Sequence, residues 1–478
     1  MLKRDFDAVI VGSGPNGFAA AITLQQQGLS TLLLEGKATV GGGMRSAELT
    51  LPGFLHDVCA AIHPMAVSSP FFNSLPLAEF GLNFIEPTIA AAHPFDNNKA
   101  AVLYQSIQKT IEGLGIDGSA YENLVMPLYK NCDKILPFIL GPFKFPKHPL
   151  IMAGFGLKAL QPAAILSKAF KTEEARGLFA GMAAHSMLPF SKTATSAIAL
   201  VLMMAAHYKG WPLIKGGSQQ LANTLAAYYT SLGGKIETGF NVSSLQQLPS
   251  SHAVLFDVSP KQLLQIAGNK FSSLYSKQLS NFKYGMGVYK VDFALSEPIP
   301  FTAPECRQAG TVHLGNSIKE IALSEALAWN GKHAGKPFVL LTQQSLFDTS
   351  RAPQGKHTAW AYCHVPNNSE KNITDVIEQQ IERFAPGFKD CILAKHAMNA
   401  ADMQVYNANY IGGDINGGAP LISQLFTRPA LRLSPYKTSA KGLYICSAST
   451  PPGGGVHGMN GYHAAKKALK DVFGIKLK

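Results

Sequence analysis

The sequence predicts an α/β fold in which a Rossmann-like domain is interrupted by a discontinuous α+β domain. Three observations lead to this prediction. A glycine-rich turn from Gly12 to Gly17 follows an apolar, β-branched run at the start of the chain. A second glycine-rich loop, from Gly453 to Gly461, lies close to the other end. The long stretch between them carries no second complete dinucleotide-binding pattern, so we expect the first and last segments to meet in one domain.

The first turn has the spacing of a dinucleotide-binding motif. The run from Asp7 to Val11 suits a buried parallel strand. Gly12 permits the tight turn after it, Gly14 leaves room for a pyrophosphate, and Gly17 lets the next helix lie close to the strand. We expect a helix from Phe18 to Gln27, whose free N–H groups and positive dipole end face the phosphates. The binding residues predicted in the turn are Gly12, Ser13, Gly14, Pro15, Asn16 and Gly17.

The next strand and loop supply further contacts to a nucleotide. Thr31 to Leu34 is the second predicted strand, and it ends in Glu35, where a carboxylate that binds ribose is expected. A glycine cluster begins at Gly41 and is followed by Arg45. Flexible backbone and a guanidinium fork suit a second pyrophosphate contact, so Gly41, Gly42 and Arg45 join the predicted site. A Rossmann domain that binds only NAD does not need this element.

Several sequence blocks resemble the phytoene dehydrogenase-related flavoproteins, and more closely the branch named for a pyridine nucleotide–disulphide oxidoreductase domain. The order of strand, phosphate turn, helix, acid and Gly-Gly is similar to the FAD domain of amine oxidases and carotenoid desaturases. Further blocks follow in the order of the family: Gly53 to Val58, Gly216-Gly217, Arg351 to His357, Arg383 to Phe388, Arg428-Pro429 and Gly442 to Ser447. The resemblance implies that the cofactor is FAD.

The resemblance also implies roles for the C-terminal loop. In the family this loop lies beside the flavin, which directs the backbone N–H groups of Gly458, Met459 and Asn460 toward the isoalloxazine carbonyl edge. His457 is the candidate catalytic residue, because a histidine near a flavin can stabilise the reduced anion or move a proton. The alternative is that His457 orients the loop through hydrogen bonds. Val242 is taken as the adenine contact, although the hairpin that follows it in many relatives is trimmed here.

Composition argues against several other classes of function. The net charge of +12 invites a nucleic-acid hypothesis, but the basic residues form no tract with interleaved aromatic residues, so we expect no nucleic-acid partner. The six cysteines contain no C-x-x-C pair, which argues against dithiol chemistry and against a metal site. Because the thiols are scattered and no apolar run is long enough to span a bilayer, we expect a cytoplasmic protein.

The predicted FAD-binding domain is assembled from three segments, 1–75, 212–275 and 428–478. The inserted domain, which we expect to hold the substrate, has a helical part at 76–211 and a sheet part at 276–427. Apolar and polar positions alternate between Lys283 and Ser296, as at Val288, Lys290, Asp292 and Ala294, which suits an antiparallel strand that faces solvent or ligand on one side.

The residues and the resemblance together predict an FAD-dependent oxidoreductase, similar to phytoene dehydrogenase, that removes hydride from an apolar small molecule. The electron acceptor stays open. One alternative is a flavin amine oxidase, which needs an aromatic cage in its substrate pocket. Another is a non-catalytic lipid or prenyl escort of the same architecture, as in GDP-dissociation inhibitors. The intact phosphate turn and Glu35 favour a protein that holds its cofactor.

A basic, apolar stretch predicts peripheral contact with an anionic membrane. From Lys134 to Thr172 there are six lysines and no acid, with phenylalanines and leucines between them. Apolar anchors beside lysines suit the interface of a bilayer. The alternative is that these apolar residues form the core of the substrate domain, because prolines interrupt any amphipathic helix there.

Overall fold

The computed structural model describes residues 4–477, which form two main sheets and the helices around them. Within those residues the strands are β1 Phe6–Val11, β2 Thr31–Leu34, β3 Ser46–Glu48, β4 Leu55–Asp57, β5 Phe84–Ile85, β6 Ile89–Pro94, β7 Ala100–Leu103, β8 Leu213–Ile214, β9 Lys235–Glu237, β10 Ser251–Phe256, β11 Gly287–Leu295, β12 Ala309–Leu314, β13 Val339–Thr342, β14 His357–Val365, β15 Ile392–Met398 and β16 Leu443–Ile445.

The α-helices in the same residues vary from one turn to about four turns. They are α1 Pro15–Gln25, α2 Pro64–Val67, α3 Ile107–Gly113, α4 Gly118–Tyr129, α5 Cys132–Ile139, α6 Pro149–Ala159, α7 Ala163–Leu166, α8 Glu173–Ala184, α9 Thr195–Lys209, α10 Gln219–Ser231, α11 Pro260–Ala267, α12 Ser273–Ser280, α13 Ile318–Trp329, α14 Thr374–Phe384, α15 Ala400–Tyr406, α16 Ile422–Leu425 and α17 Met459–Ala468.

The five-stranded sheet has the order β16-β10-β1-β2-β9, and all its pairs are parallel. The strand order reverses beside β1, since β2 lies on one side of it and β10 on the other. A reversal of this kind opens a crevice at the carboxyl ends of the strands, where α/β proteins bind nucleotides. Val11, the last residue of β1, pairs with Leu34 on β2 and with Phe256 on β10, so three strand ends meet at that crevice.

The end of the chain returns to this sheet, as the sequence predicts. Helix α17 packs directly on α1. A Cβ atom at Gly461 would lie 1.8 Å from the carbonyl oxygen of Asn16, so only glycine permits this approach. The Rossmann-like α/β fold with an inserted α+β part is therefore confirmed.

The seven-stranded sheet has the order β15-β11-β14-β13-β12-β6-β7, and its neighbours are antiparallel except for the parallel pair of β12 and β6. Side chains alternate between its faces. One face carries Val291 and Phe293, which pack against α14 in an apolar core. All of β11 is buried, so the solvent-facing alternative for its second face is wrong. Trp360 and Tyr362 on the neighbouring β14 face a cavity.

The stretch from 76 to 211, expected to be helical, also contributes β6 and β7 to this sheet. The domain boundaries stay a prediction. In the part of the chain that the structure describes, no single helix is long and apolar enough to cross a membrane. The helix pair Pro149–Ala159 and Ala163–Ala169 passes that test only together, and it is bent by 91°.

Candidate functional site

A cavity of about 750 Å³ begins at the carboxyl ends of β1 and β2 and extends to the large sheet. Its first part is lined by the glycine-rich turn, by Glu35 and by Val242. The other part we call the substrate arm. The residues of the substrate arm are Met65, His185, Leu202, Trp211, Thr311, Leu340, Trp360 and Tyr362. The cavity therefore joins a nucleotide-binding edge to a largely apolar, aromatic pocket.

The phosphate turn has the geometry that its sequence predicts. Gly12 adopts a φ of +99°, which favours glycine. A Cβ atom at Gly17 would lie 1.9 Å from the carbonyl oxygen of Gly12, so α1 begins in contact with the end of β1. Ser13, Gly14, Pro15 and Asn16 line the cavity between these glycines. Oδ1 of Asn16 is buried without a hydrogen-bond partner among the described residues.

Glu35 is almost fully buried and is held by four donors. Its Oε2 accepts hydrogen bonds from N and Oγ of Ser13, at 3.1 and 2.5 Å. Its Oε1 accepts from N of Lys37 at 2.9 Å and from Nη2 of Arg45 at 3.0 Å. Arg45, predicted to contact a phosphate, is thus paired with the predicted ribose acid. Both residues line the cavity. The sequence did not predict that they would pair with each other.

The glycine cluster packs on the phosphate turn. The backbone N–H of Gly41 donates to the carbonyl oxygen of Ser13, at 3.2 Å. Gly42 lines the cavity, and its Cβ would lie 3.1 Å from Cα of Gly14. Gly41 itself lies behind that wall, where its φ of +124° and the nearby Ala222 both require glycine. The two predicted residues therefore shape one loop, and Gly42 is the one that faces the cavity.

Asp257 is a site residue that sequence analysis missed. It follows β10 directly, and its Oδ2 accepts a hydrogen bond of 2.9 Å from the backbone N–H of Gly17. The pKa of this carboxyl is raised to about 7, chiefly by burial; the Gly17 N–H opposes the rise and the charge of Glu35 adds to it. The signal that could have found it is its place at the end of the strand next to β1, on the edge where the phosphate turn lies.

The C-terminal loop is positioned by its own hydrogen bonds. Nδ1 of His457 accepts from the N–H of Met459 at 3.1 Å, and Nδ2 of Asn460 donates to the carbonyl oxygen of Thr450 at 2.8 Å. Gly458 adopts a φ of +69° and lies against α1. These four predicted residues are buried behind the cavity, whose wall is formed here by Gly455 and Val456 and by the segment 447–449.

This arrangement favours the loop-orienting role of His457 over the catalytic one. The ring is turned to its own loop, and burial lowers the pKa of His457 to about 4. It is therefore neutral at pH 7 and does not supply a positive charge to a reduced flavin.

The substrate arm combines aromatic rings with few polar atoms. Trp360 and Tyr362 are neighbours on one face of β14, with ring centroids 5.3 Å apart and planes tilted by 43°. Across the arm, Nε1 of Trp211 donates to Oγ1 of Thr311 at 2.8 Å. His185 ends α8 and completes the wall. These residues come from separate helices and strands, so no local sequence pattern marks them as one pocket.

Two buried ionic clusters connect β4 with the large sheet and with the segment that carries Arg351. Arg351 is fully buried and pairs with Asp57 at 3.0 Å and with Asp348 at 2.9 Å. On the other face of β4, His56 lies 3.7 Å from Asp292, which also pairs with Lys290. His56 and Asp57 thus act on opposite faces, as expected of neighbours on a strand. Among residues 4–477, no group of three or more His, Cys, Asp or Glu residues could hold a metal ion.

Comparisons with known proteins agree with this architecture. A family model described as an NAD(P)-binding Rossmann-like domain matches residues 10–75. The mouse pyridine nucleotide-disulfide oxidoreductase domain-containing protein 2 is 24% identical, over 98% of this chain and 94% of its own length. The lycopene-forming phytoene desaturase of a Paracoccus species is 22% identical, over 95% of each chain. The resemblance to phytoene dehydrogenase-related flavoproteins is confirmed along the whole chain.

Among solved structures, a putrescine oxidase variant has a TM-score of 0.62 and 14% sequence identity, covering 98% of this chain and 99% of that one. At that identity, the likeness describes the fold.

The residues of the cavity fit FAD. The phosphate turn excludes side chains where a pyrophosphate approaches, and Glu35 lies at the end of β2 where a ribose is expected. The orphaned Oδ1 of Asn16 can accept from a ligand hydroxyl. The cavity then continues past the nucleotide edge into the substrate arm.

Proposed function

We propose that the protein is an FAD-dependent oxidoreductase, similar to phytoene dehydrogenase, that oxidises an apolar small molecule. The observation that carries this proposal is the single cavity that joins the phosphate turn to the substrate arm. Its relatives support the proposal, since the curated proteins that match along the full chain include a phytoene desaturase. A protein that only escorts a lipid has no need for the intact turn at Gly12 and Gly14 or for the buried Glu35.

The chain binds and orients the reactants. FAD, when bound, supplies a hydride acceptor at N5 of its ring. The turn from Gly12 to Gly17 and the N-terminus of α1 hold the phosphates, and Glu35 holds the adenosine ribose. The apolar walls of the substrate arm, such as Leu202 and Leu340, exclude water and bring a substrate carbon against the ring.

A flavin amine oxidase is the second candidate, and one observation favours it. Trp360 and Tyr362 place two aromatic rings on the wall of the substrate arm, as an aromatic cage requires. The putrescine oxidase fold likeness is consistent with this candidate. The substrate arm contains no carboxylate, however, so it offers a cationic amine no ion-pair partner.

Absorbance of the purified protein tests the proposed function. We expect flavin bands, with FAD rather than FMN released on denaturation. Anaerobic photoreduction followed by reoxidation with oxygen or a quinone then identifies the class of electron acceptor. A colourless protein that FAD does not reconstitute would support the escort instead.

We also propose that the protein docks on an anionic bilayer through the segment 143–165. Large apolar side chains that this segment exposes are Phe143 at 71%, Phe145 at 86%, Leu150 at 88%, Leu157 at 74% and Ile165 at 50%. These five side chains lie outside the apolar core, whereas Phe155 in the same segment is buried in it. Exposed Lys144 and Lys147 lie among them, with no acid between 134 and 172. Apolar anchors flanked by lysines match an anionic lipid surface in both shape and charge.

Phe143 also packs edge-to-face against Phe426, with ring centroids 5.2 Å apart. Phe426 is itself half exposed, and Leu431 further along is 72% exposed. The apolar surface thus continues from one segment of the chain to another. A water-insoluble substrate would reach the protein at such a surface.

A further inference from the structure

The substrate arm carries a hydrogen-bond donor without a partner. Nε1 of Trp360 is buried and bonds to no described residue, although an indole N–H in a protein interior usually finds an acceptor. Trp211, across the arm, shows the contrast, because its Nε1 is satisfied by Thr311. An unsatisfied donor on a ligand cavity points to an acceptor on the ligand.

A pair of histidines supplies a second donor. Nε2 of His185 lies 3.0 Å from Nε2 of His313, so the two rings share one proton at that contact. Nδ1 of His313 is buried without a partner, because α8 packs against the ring at Gly181. A buried lone pair is tolerated there more readily than a buried N–H. The shared proton therefore belongs to His313, whose Nε2–H donates to His185.

That assignment fixes the other nitrogen of His185. Its Nε2 is an acceptor, so its Nδ1 carries the proton of the neutral ring. Burial lowers the pKa of His185 to about 3 and holds the pKa of His313 well below its usual range, so neither ring is charged at pH 7. Nδ1 of His185 bonds to no described protein atom, while His185 lines the substrate arm. The arm thus presents two neutral N–H donors.

The two donors flank one patch of the sheet. Leu340 on β13 pairs with His313 on β12 and with Tyr362 on β14. His185 contacts His313 above the first strand, and Trp360 stands beside Tyr362 on the other. The aliphatic side chain of Leu340 lies between the two donors, so a ligand oxygen above Leu340 has an N–H group on either side of it and an apolar surface below it.

We propose that the substrate arm binds an apolar molecule through a neutral carbonyl oxygen, which accepts hydrogen bonds from Nδ1 of His185 and Nε1 of Trp360. His313 is a positioning residue that keeps His185 in the donating tautomer. This inference rests on the proposed function, which places the flavin at the mouth of the arm. A carboxylate is excluded because no cationic side chain lines the arm, and a pure hydrocarbon leaves both donors unsatisfied.

The experiment compares three ligands of one shape on the flavin-loaded protein. They are decan-2-one, 2-methyldec-1-ene, in which CH₂ replaces the carbonyl oxygen, and 2-aminodecane. Binding is followed by the shift of the flavin absorbance bands. We expect the ketone to bind about tenfold more tightly than the alkene, since only the ketone satisfies the donors. Equal affinities would overturn the inference, and tightest binding of the amine would overturn it in favour of the amine oxidase.

Infrared spectroscopy with the carbonyl carbon labelled as ¹³C tests the donors themselves. The C=O stretch of the bound ketone should lie below its frequency in hexane, and Trp360→Phe or His185→Phe should each reverse part of that shift. His313→Phe should reverse the part of the frequency shift that His185 causes, although residue 313 does not contact the ligand. Trp329→Phe is the matched control, because it removes an indole N–H at a residue that does not line the substrate arm. A stretch that Trp360→Phe leaves unchanged would contradict the assignment.

The two proposals fail in different ways. A protein that never holds flavin contradicts the proposed function, while the infrared shift of the labelled ketone still tests the carbonyl site. A flavin-loaded protein that does not distinguish ketone from alkene contradicts only the carbonyl site. Because that comparison uses the wild-type chain, it stands even where a variant does not fold.

Discussion

The carboxylate of Asp257 accepts a 2.9 Å hydrogen bond from the backbone N–H of Gly17, so an acid from another segment of the chain caps the first turn of α1, the helix predicted to face the phosphates. The two residues are separated by 240 positions in the chain. The same carboxylate would lie 2.7 Å from a Cβ atom at Gly14. A buried acid next to a dianionic pyrophosphate is electrostatically unfavourable when ionised, and its raised pKa of about 7 reflects the burial that already disfavours the charge.

We predict that Asp257→Asn stabilises the apoprotein at alkaline pH. Since the folded-state pKa is raised from 3.8 to about 7, the folded chain keeps a proton that the unfolded chain loses between those values. The free energy of unfolding therefore falls as the pH rises from about 4 to 7, and this fall is at most about 4 kcal/mol. Asparagine removes this loss and can still accept from Gly17. Thermal melting of the two apoproteins should give similar midpoints near pH 4 and a higher midpoint for the variant at pH 8.

FAD binding should respond in the same direction. The affinity of the wild-type protein should fall as the pH rises from 6 to 8.5, because Asp257 becomes ionised beside the phosphates, whereas Asp257→Asn should show a flatter profile. Fluorescence titration of apoprotein with FAD measures both. Parallel profiles for wild type and variant would mean that Asp257 does not titrate at the site.

A side chain at Gly14 should abolish FAD binding. In Gly14→Val the new methyl groups collide with Asp257 and fill the space that a pyrophosphate needs. Glu35→Gln should weaken binding less, by about tenfold, since an amide oxygen still accepts from a ribose hydroxyl but pairs less well with Arg45. Gly335→Val is the control, because its Cβ meets no atom within 4 Å. Stoichiometric flavin in purified Gly14→Val would refute the assignment of the turn.

His457→Gln separates the two roles considered for this residue. A glutamine can accept from the N–H of Met459 in place of Nδ1, so the loop should keep its shape. If His457 only orients the loop, the midpoint potential of the bound flavin should move by less than about 30 mV, a tenfold change for a two-electron couple. A larger drop, with flavin content unchanged, would show that the histidine stabilises the reduced flavin. His457→Ala, which removes the acceptor, should lower the flavin content.

The sequence predicted those parts of the site that are local in the chain. The turn at Gly12, the acid at Glu35 and strand β2 lie within thirty residues of each other, and their spacing alone defines a dinucleotide edge. The substrate arm could not be predicted in this way. His185 and His313 are 128 positions apart, and only the register of the large sheet brings them into contact. The role of Asp257 could not be predicted either, because it depends on which strand lies beside β1.

The apolar, basic surface at 143–165 should make the protein bind anionic vesicles. Each lysine near such a surface contributes about 1 kcal/mol, so reversing two of them should weaken binding by more than about tenfold. We expect the protein to co-sediment with vesicles that contain phosphatidylserine, to bind less at high salt, and to bind less in the variant Lys144→Glu with Lys147→Glu. Lys332→Glu with Lys336→Glu changes the net charge equally at exposed positions outside this surface and should leave binding unchanged.

The apolar half of the surface is tested separately. Phe145→Ser with Leu150→Ser removes two side chains that are 86% and 88% exposed, so folding should be unaffected while vesicle binding falls. Retained flavin and an unchanged melting temperature confirm that the fold is intact. If the serine variant lost binding but the lysine variant did not, the contact would be hydrophobic without a preference for anionic lipid. Equal sedimentation of wild type and both variants at low salt would show that the surface does not meet a membrane.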